Sequence, residues 1–218
     1  MLRPRVTLKL ATSLDGRIAT ASGESRWITG EAARAEVQRL RASHDAVLIG
    51  AGTARKDNPS LLARTEPPPK KQPKRVVLTR RLAFPPGGRL FEHLDQSPLI
   101  VFVPNSSRGR PELKAAGARI ESVPAIGEDL DILAVFARLA SLGVESVLAE
   151  GGGLVAASLI RAGLVDCLEW FRAPLVLGAA GKPAIADMDY AGLAVAPRWR
   201  RVALRELGPD LWESYERA

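Results

Sequence analysis

The sequence predicts an α/β fold built on a mixed, mainly parallel sheet with helices on both faces. Three observations predict it. Short apolar runs at 45–50, 76–79, 99–103 and 144–150 read as buried strands, and segments with helical spacing alternate with them. The two last segments, RRVALREL and DLWESYER, are separated by Gly208-Pro209 in the manner of an antiparallel hairpin. With 218 residues and 46% hydrophobic content the chain can bury a real core, and a single domain over 1–218 is expected.

Residues 5–12, RVTLKLAT, alternate, with Val6, Leu8 and Leu10 on one face and Thr7, Lys9 and Ala11 on the other, which predicts the first strand. The Asp15-Gly16 turn and a short strand at Arg17–Thr20 follow, then a helix capped by Thr29 and running through residue 43. HDAVLIG gives a strand at 45–50 closed by Gly50 and Gly52, and Asp57-Asn58-Pro59 reads as a turn. Residues 64–74, RTEPPPKKQPK, read as an exposed loop, with VVLT at 76–79 a buried strand beyond it. LIVFV at 99–103 is the next strand, followed by a helix near 110–116, a short strand at 118–122, a helix at 129–142 and a strand at 144–150. CLEWFRAPLVLG at 167–178 reads as a strand with Pro174 near its end.

Composition narrows the function. No run approaches the roughly 20 apolar residues that span a bilayer, and MLRPRVTLKL lacks a secretory cleavage site, so a cytoplasmic protein is expected. Cys167 stands alone and reads as a strand residue, while His44 and His93 are too far apart for a recognisable zinc spacing, so no metal site is expected. A formal charge of +7 and a pI near 10.1 favour anionic partners. Nucleic acid is disfavoured because only 5% of the chain is aromatic and its tryptophans are scattered. The basic loop at 67–81 is the one place where such binding would start, and a proline-rich basic loop is more often simply solvated.

The stretch VLAEGGGLVAASLI at 147–160 passes from a strand through Glu150 and three glycines into a helix starting near Leu154. Backbone N–H groups of Gly151, Gly152 and Gly153 can approach a phosphate because no Cβ intrudes, with the helix dipole behind them. A plain strand-to-helix turn explains the pattern equally well, because it matches neither GxGxxG nor GxxxxGK[ST].

Five segments decide between these readings: LKLATSLDGRIA, SGESRWITG, RASHDAVLIGAGTARKDNPSLLAR, AEGGGLVAASLIRAGLVD and APLVLG. In order and approximate spacing they resemble the reductase domain of riboflavin biosynthesis, whose fold is dihydrofolate-reductase-like, a three-layer sandwich. The resemblance implies NADPH-dependent reduction of the ribosyl group of a 5-phosphoribosylaminopyrimidine to a ribityl group, and a homodimer. Bifunctional members carry a zinc deaminase ahead of the reductase; this sequence has no H-x-E with P-C-x-x-C, so deamination is not expected of it. The alternatives are reduction of a pteridine, dihydrofolate or other imine or carbonyl, and an NADPH-binding paralogue without turnover.

The same resemblance places Ser25, Arg41, Leu61 and Arg64 on the substrate and Glu150 as an acceptor for its ribose or pyrimidine. It places Asp57 near nicotinamide and ribose, and Ala11, Trp27, Thr53, Gly151 to Leu154 and Ser158 on the cofactor. Each has a plainer reading: a solvated helix face for Arg41, a loop edge for Arg64, a turn cap for Ser25, a helix-start carboxylate for Glu150, an Asx turn for Asp57, core packing for Trp27. Lys9, on the polar face of the first strand, is a candidate to stabilise substrate oxygens or donate a proton. Thr79 and Arg80, at the end of VVLT, offer a hydroxyl and a cation to a 2′-phosphate, although the family often has Asp-Ser or Asp-Thr where this sequence reads TRR.

Overall fold

The computed structural model describes residues 3–81, 85–107 and 111–218. In chain order its elements are β1 (Arg5–Thr12), β2 (Arg17–Ala19), α1 (Glu31–Ala42), β3 (Ala46–Gly50), α2 (Ala51–Asp57), β4 (Lys74–Leu78), β5 (Leu99–Pro104), α3 (Pro111–Ala115) and β6 (Arg119–Val123). They continue with β7 (Ala125–Ile126), β8 (Asp129–Leu130), α4 (Ile132–Ser141), β9 (Ser146–Ala149), α5 (Gly153–Arg161), β10 (Cys167–Arg172), β11 (Lys182–Pro183), β12 (Trp199–Leu207) and β13 (Asp210–Arg217). The chain divides into two compact units, one from its first residues through Arg5 with Gln38–Gly151, the other from Val6–Val37 with Gly152–Ala218.

The first unit carries strands in the order β9-β3-β4-β5-β6, every pair parallel. Their apolar runs have no polar alternation because both faces are covered: all six residues of β5 are buried, and Val47, Leu48, Val76 and Val77 have no exposure. Val47, Ile49, Val77, Val101, Leu113 and Leu148 share one core cluster. The chain leaving β3 turns through α2 to β4 on one side, whereas β9 pairs with the other edge of β3. The carboxyl ends of β3 and β9 therefore flank a topological switch point, where ligands collect in open α/β sheets.

The second unit carries β12-β13-β10-β1, with β1 parallel to β10 and the other pairs antiparallel. The expected C-terminal hairpin is β12–β13, closing at Leu207 and Asp210. Across one face a line of ring contacts joins all four strands. The Arg205 guanidinium lies 4.9 Å from the Trp212 ring, which stacks on Phe171 at 5.2 Å, and Lys9 Nζ lies 5.8 Å from the Phe171 centroid. Asp15 fixes the turn after β1: it accepts from Ser13 Oγ at 2.6 Å and from the backbone N–H groups of Leu177 and Gly178. Those donors, the Ser13 hydroxyl foremost, lower its carboxyl pKa to about 2.

Several boundaries differ from the sequence reading. Gly30, not Thr29, precedes α1: its carbonyl accepts from Arg34 N–H, and its own N–H goes to Asp210 Oδ2 at 2.6 Å. The sequence reading has no helix between β3 and the turn at Asp57-Asn58-Pro59; the structure has α2 there, ended by Asn58 in the left-handed region with its N–H on Ala54 O. The expected helix at 129–142 starts at Ile132 because Asp131 caps it, accepting from the N–H groups of Leu133 and Ala134. The strand expected over 167–178 stops at Arg172, and the two-residue strands β7, β8 and β11 had no periodicity to announce them. Residue 110, in the expected helix near 110–116, lies outside the described residues. The loop at 64–74 is largely exposed, but β4 already begins at Lys74, and Arg75 has no exposure at all. Among the described residues no helix is long and apolar enough to cross a membrane.

Candidate active site

At the carboxyl end of β9, Glu150 continues the ladder through its N–H to Leu48 O at 2.9 Å, and its carboxylate meets Arg41 from the last turn of α1. The contact is a two-pronged fork: Arg41 Nε donates to Oε1 at 2.6 Å and Nη2 to Oε2 at 2.9 Å. Both side chains are nearly buried, 12% and 10% exposed. Burial works against the Arg41 charge, but the Glu150 carboxylate more than offsets it, and the Arg41 pKa rises. The plainer reading of a solvated Arg41 does not hold, and Glu150 stands two residues ahead of Gly152, the residue that precedes α5.

The third Arg41 nitrogen, Nη1, donates to Leu62 O at 3.3 Å. Gln38, one turn earlier on α1, accepts from Arg64 N–H at 3.0 Å, and Gln72 makes a reciprocal pair with the Ala63 backbone at 2.9 Å in each direction. Segment 61–64 is thus held by its backbone from three side chains. Leu61 is buried in the core with φ +56°, while the Arg64 side chain is exposed. Gln38 and Gln72 had no sequence signal; polar residues that bond distant backbone look like any solvated glutamine.

Thr53 and Asp57 lie on α2, each half-buried, Asp57 as its last helical residue instead of the start of an Asx turn. Thr79 follows β4; its N–H extends the ladder to Phe102 O, and its hydroxyl is buried with no hydrogen-bond partner. Arg80 is half-exposed beside Glu128 and Asp129. The basic loop is accordingly not a continuous cationic strip, since Arg75 is buried and Arg80 is paired. Gly151 is half-buried next to Glu150.

In the second unit, Lys9 and Ala11 lie half-buried on the face of β1 that carries Phe171 of β10, with Lys9 in register with Glu169. Ser25 is half-buried ahead of Trp27, which is 69% exposed and therefore not core packing. The Arg34 guanidinium lies 4.6 Å from the Trp27 ring. A cleft of about 460 Å³ opens beside this residue, lined also by Gly30, Arg34, Pro174 and Asp210. Gly152 and Gly153 begin α5, Leu154 is exposed, and Ser158 is half-buried one turn on. The residue preceding α5 is Gly152, which has no side chain to cap the first N–H groups of the helix.

Gly153 has a second reason to be glycine. A Cβ there would stand 2.7 Å from Pro183 O and 3.1 Å from Ala186 N, both backbone atoms. Gly153→Ala should therefore lose stability by about 1–2 kcal/mol, overpacking outweighing the ordinary helical gain of alanine. A denaturant midpoint at or above that of the parent would show that the glycine serves only a ligand.

A family model described as the RibD C-terminal domain matches residues 4–212. The riboflavin biosynthesis protein RibD of Bacillus amyloliquefaciens is 36% identical over 211 residues, covering 95% of this chain and 56% of that protein. A structure from Thermotoga maritima, named as a diaminohydroxyphosphoribosylaminopyrimidine deaminase/5-amino-6-(5-phosphoribosylamino)uracil reductase, superposes with TM-score 0.81 at 28% identity, covering 99% of this chain and 57% of that one. The chain spans somewhat more than half the length of these relatives. Dihydrofolate reductase from Enterococcus faecalis, solved with NADP(H), shares the fold alone, at TM-score 0.54 and 15% identity with 99% of each chain covered.

Proposed function

The chain belongs to the RibD C-terminal domain family, and on that premise we propose that it uses NADPH to reduce the ribosyl group of a 5-phosphoribosylaminopyrimidine to a ribityl group in riboflavin biosynthesis. The observation that carries the reading is the Arg41–Glu150 fork at the β3–β9 switch point. A carboxylate oriented there by the Arg41 fork is an acceptor for the hydroxyls of a sugar. Arg41 is committed to Glu150 and Leu62, so the 5′-phosphate is assigned to the exposed fork of Arg64. Lys9 is assigned as a cation for substrate oxygens, and Ser25 and the Leu61 backbone as further substrate contacts.

The residues present fit the cofactor: a buried, unpartnered hydroxyl at Thr79, and a start of α5 preceded by Gly151 and Gly152, which carry no side chain to hold off a phosphate. When bound, NADPH supplies a hydride to the electrophilic C1′ of the opened ribosylamine. The chain's part is then to bind and orient: Ala11, Trp27, Thr53, Asp57, Gly153, Leu154 and Ser158 would hold the dinucleotide, with Thr79 and Arg80 at its 2′-phosphate. A homodimer fits, because β12 is the edge strand among the described residues and leaves Val202 and Leu204 half-exposed; a cytoplasmic location goes with this reading.

The test is loss of reduced-nicotinamide absorbance with the diamino and the deaminated ribosylaminopyrimidine 5′-phosphates offered separately. Oxidation with one of them is the expected result and also fixes the order of reduction and deamination. Tight NADPH binding without oxidation by either would end this reading; turnover of a pteridine in their place would establish the alternative.

A further inference from the structure

At the end of β4, the buried hydroxyl of Thr79 has no partner, and the neighbouring residue, Arg80, is a cation held only loosely. Arg80 Nη1 is 3.3 Å from Asp129 Oδ1 and 3.7 Å from Glu128 Oε2, so two carboxylates share one guanidinium nitrogen and neither forms a fork. Arg80 is 43% exposed and the two acids more so. Exposed single-nitrogen pairs of this kind are weak, whereas a phosphate dianion can take two parallel bonds from the same group. Glu128 lies in the tight turn between β7 and β8, where Gly127 has φ +61°, and Asp129 opens β8, so the hairpin brings both acids to Arg80. A buried polar atom lacking a partner beside an exchangeable cation, at the carboxyl end of a parallel strand, is the arrangement expected of an anion subsite.

We propose that Arg80 selects a 2′-phosphorylated dinucleotide over its unphosphorylated counterpart, and that Glu128 and Asp129 set the strength of that selection by competing for the same guanidinium. The proposal rests on the NADPH reading above and goes beyond it by naming an acidic turn that weakens cofactor binding. Removing the turn's charge should improve the site.

Calorimetric titration of the full chain with NADP+ and with NAD+ tests this without turnover. The parent should prefer NADP+. Arg80→Ala should weaken NADP+ about tenfold or more while leaving NAD+ unchanged, as loss of a charge-assisted bond requires. Glu128→Gln with Asp129→Asn should tighten NADP+ about threefold to tenfold, again without effect on NAD+. Arg81→Ala, which removes an adjacent charge, should do little to the ratio. An unchanged NADP+/NAD+ ratio in Arg80→Ala, or no gain for NADP+ when the acids are neutralised, overturns the proposal while the NADPH reading stands. A parent that binds both dinucleotides equally, or neither, overturns the two together.

Discussion

Glu150→Gln is expected to lower turnover of the ribosylaminopyrimidine phosphate by about 10- to 100-fold, the loss that follows when a hydrogen bond to a charged acceptor goes. Glutamine has the size of glutamate but presents one oxygen and one NH2 group to a guanidinium that offers only donors. One prong of the Arg41 fork is then donor against donor, and a nearly buried cation loses its counter-charge. Breaking a buried pair from one side costs about 3 kcal/mol at the low end of the observed range, which suits a variant that keeps one bond. Stability and chemistry must therefore be separated. The double variant Arg41→Met with Glu150→Gln removes the stranded cation, so its urea midpoint should recover toward that of the parent while its turnover stays low. If turnover returned along with stability, Glu150 would be a strut and not a contact to substrate.

The strands were legible because their apolar runs are the direct imprint of a sheet covered on both faces, and Gly208-Pro209 marked the hairpin. Helix α2 was not legible: AGTARKD has no apolar stripe and buries only Ala54. Its end depends on Asn58, whose side chain accepts from Arg89 N–H and whose Oδ1 lies where a Cβ on Gly88 would collide. Glu150 stood out because a carboxylate closing an apolar strand needs a partner. That partner lies 109 residues away on another element, a pairing that no local pattern contains. Resemblance had marked Arg41 for the substrate; only the fold shows that its fork is turned to the acid. Arg75 was lost inside a proline-rich basic run, although it directly precedes the buried residues Val76 and Val77.

Arg75→Lys, conservative by charge, is expected to cost about 2–4 kcal/mol of stability, because the buried charge is retained while the geometry that satisfies it is lost. Among the described residues the Arg75 guanidinium has no carboxylate as a hydrogen-bond partner. It donates from Nε and Nη2 to Ser97 O, from Nη1 to Arg89 O and from Nη2 to His93 O, closing the turns between 88 and 97. Burial lowers its pKa to about 10 despite the opposing charge of Glu92, so the cation is uncomfortable even with its carbonyls. An ammonium on a lysine stem cannot span three separated carbonyls, and it is harder to dehydrate. For a buried base of depressed pKa the penalty is full below the folded pKa and is relieved as pH rises toward the unfolded value. The Arg75→Lys variant should thus regain stability relative to the parent as pH rises toward about 10, the ordinary lysine value. Arg75→Met, which orphans the carbonyls but removes the charge, should cost less. The damage should also be local, because Arg89 connects this segment to Asn58 at the end of α2, where Asp57 stands. Hydrogen exchange should quicken first at 88–97 and in α2, with weaker dinucleotide binding. Equal urea midpoints for the parent and Arg75→Lys at neutral pH would show instead that the carbonyls find other donors and that Arg75 fills space only.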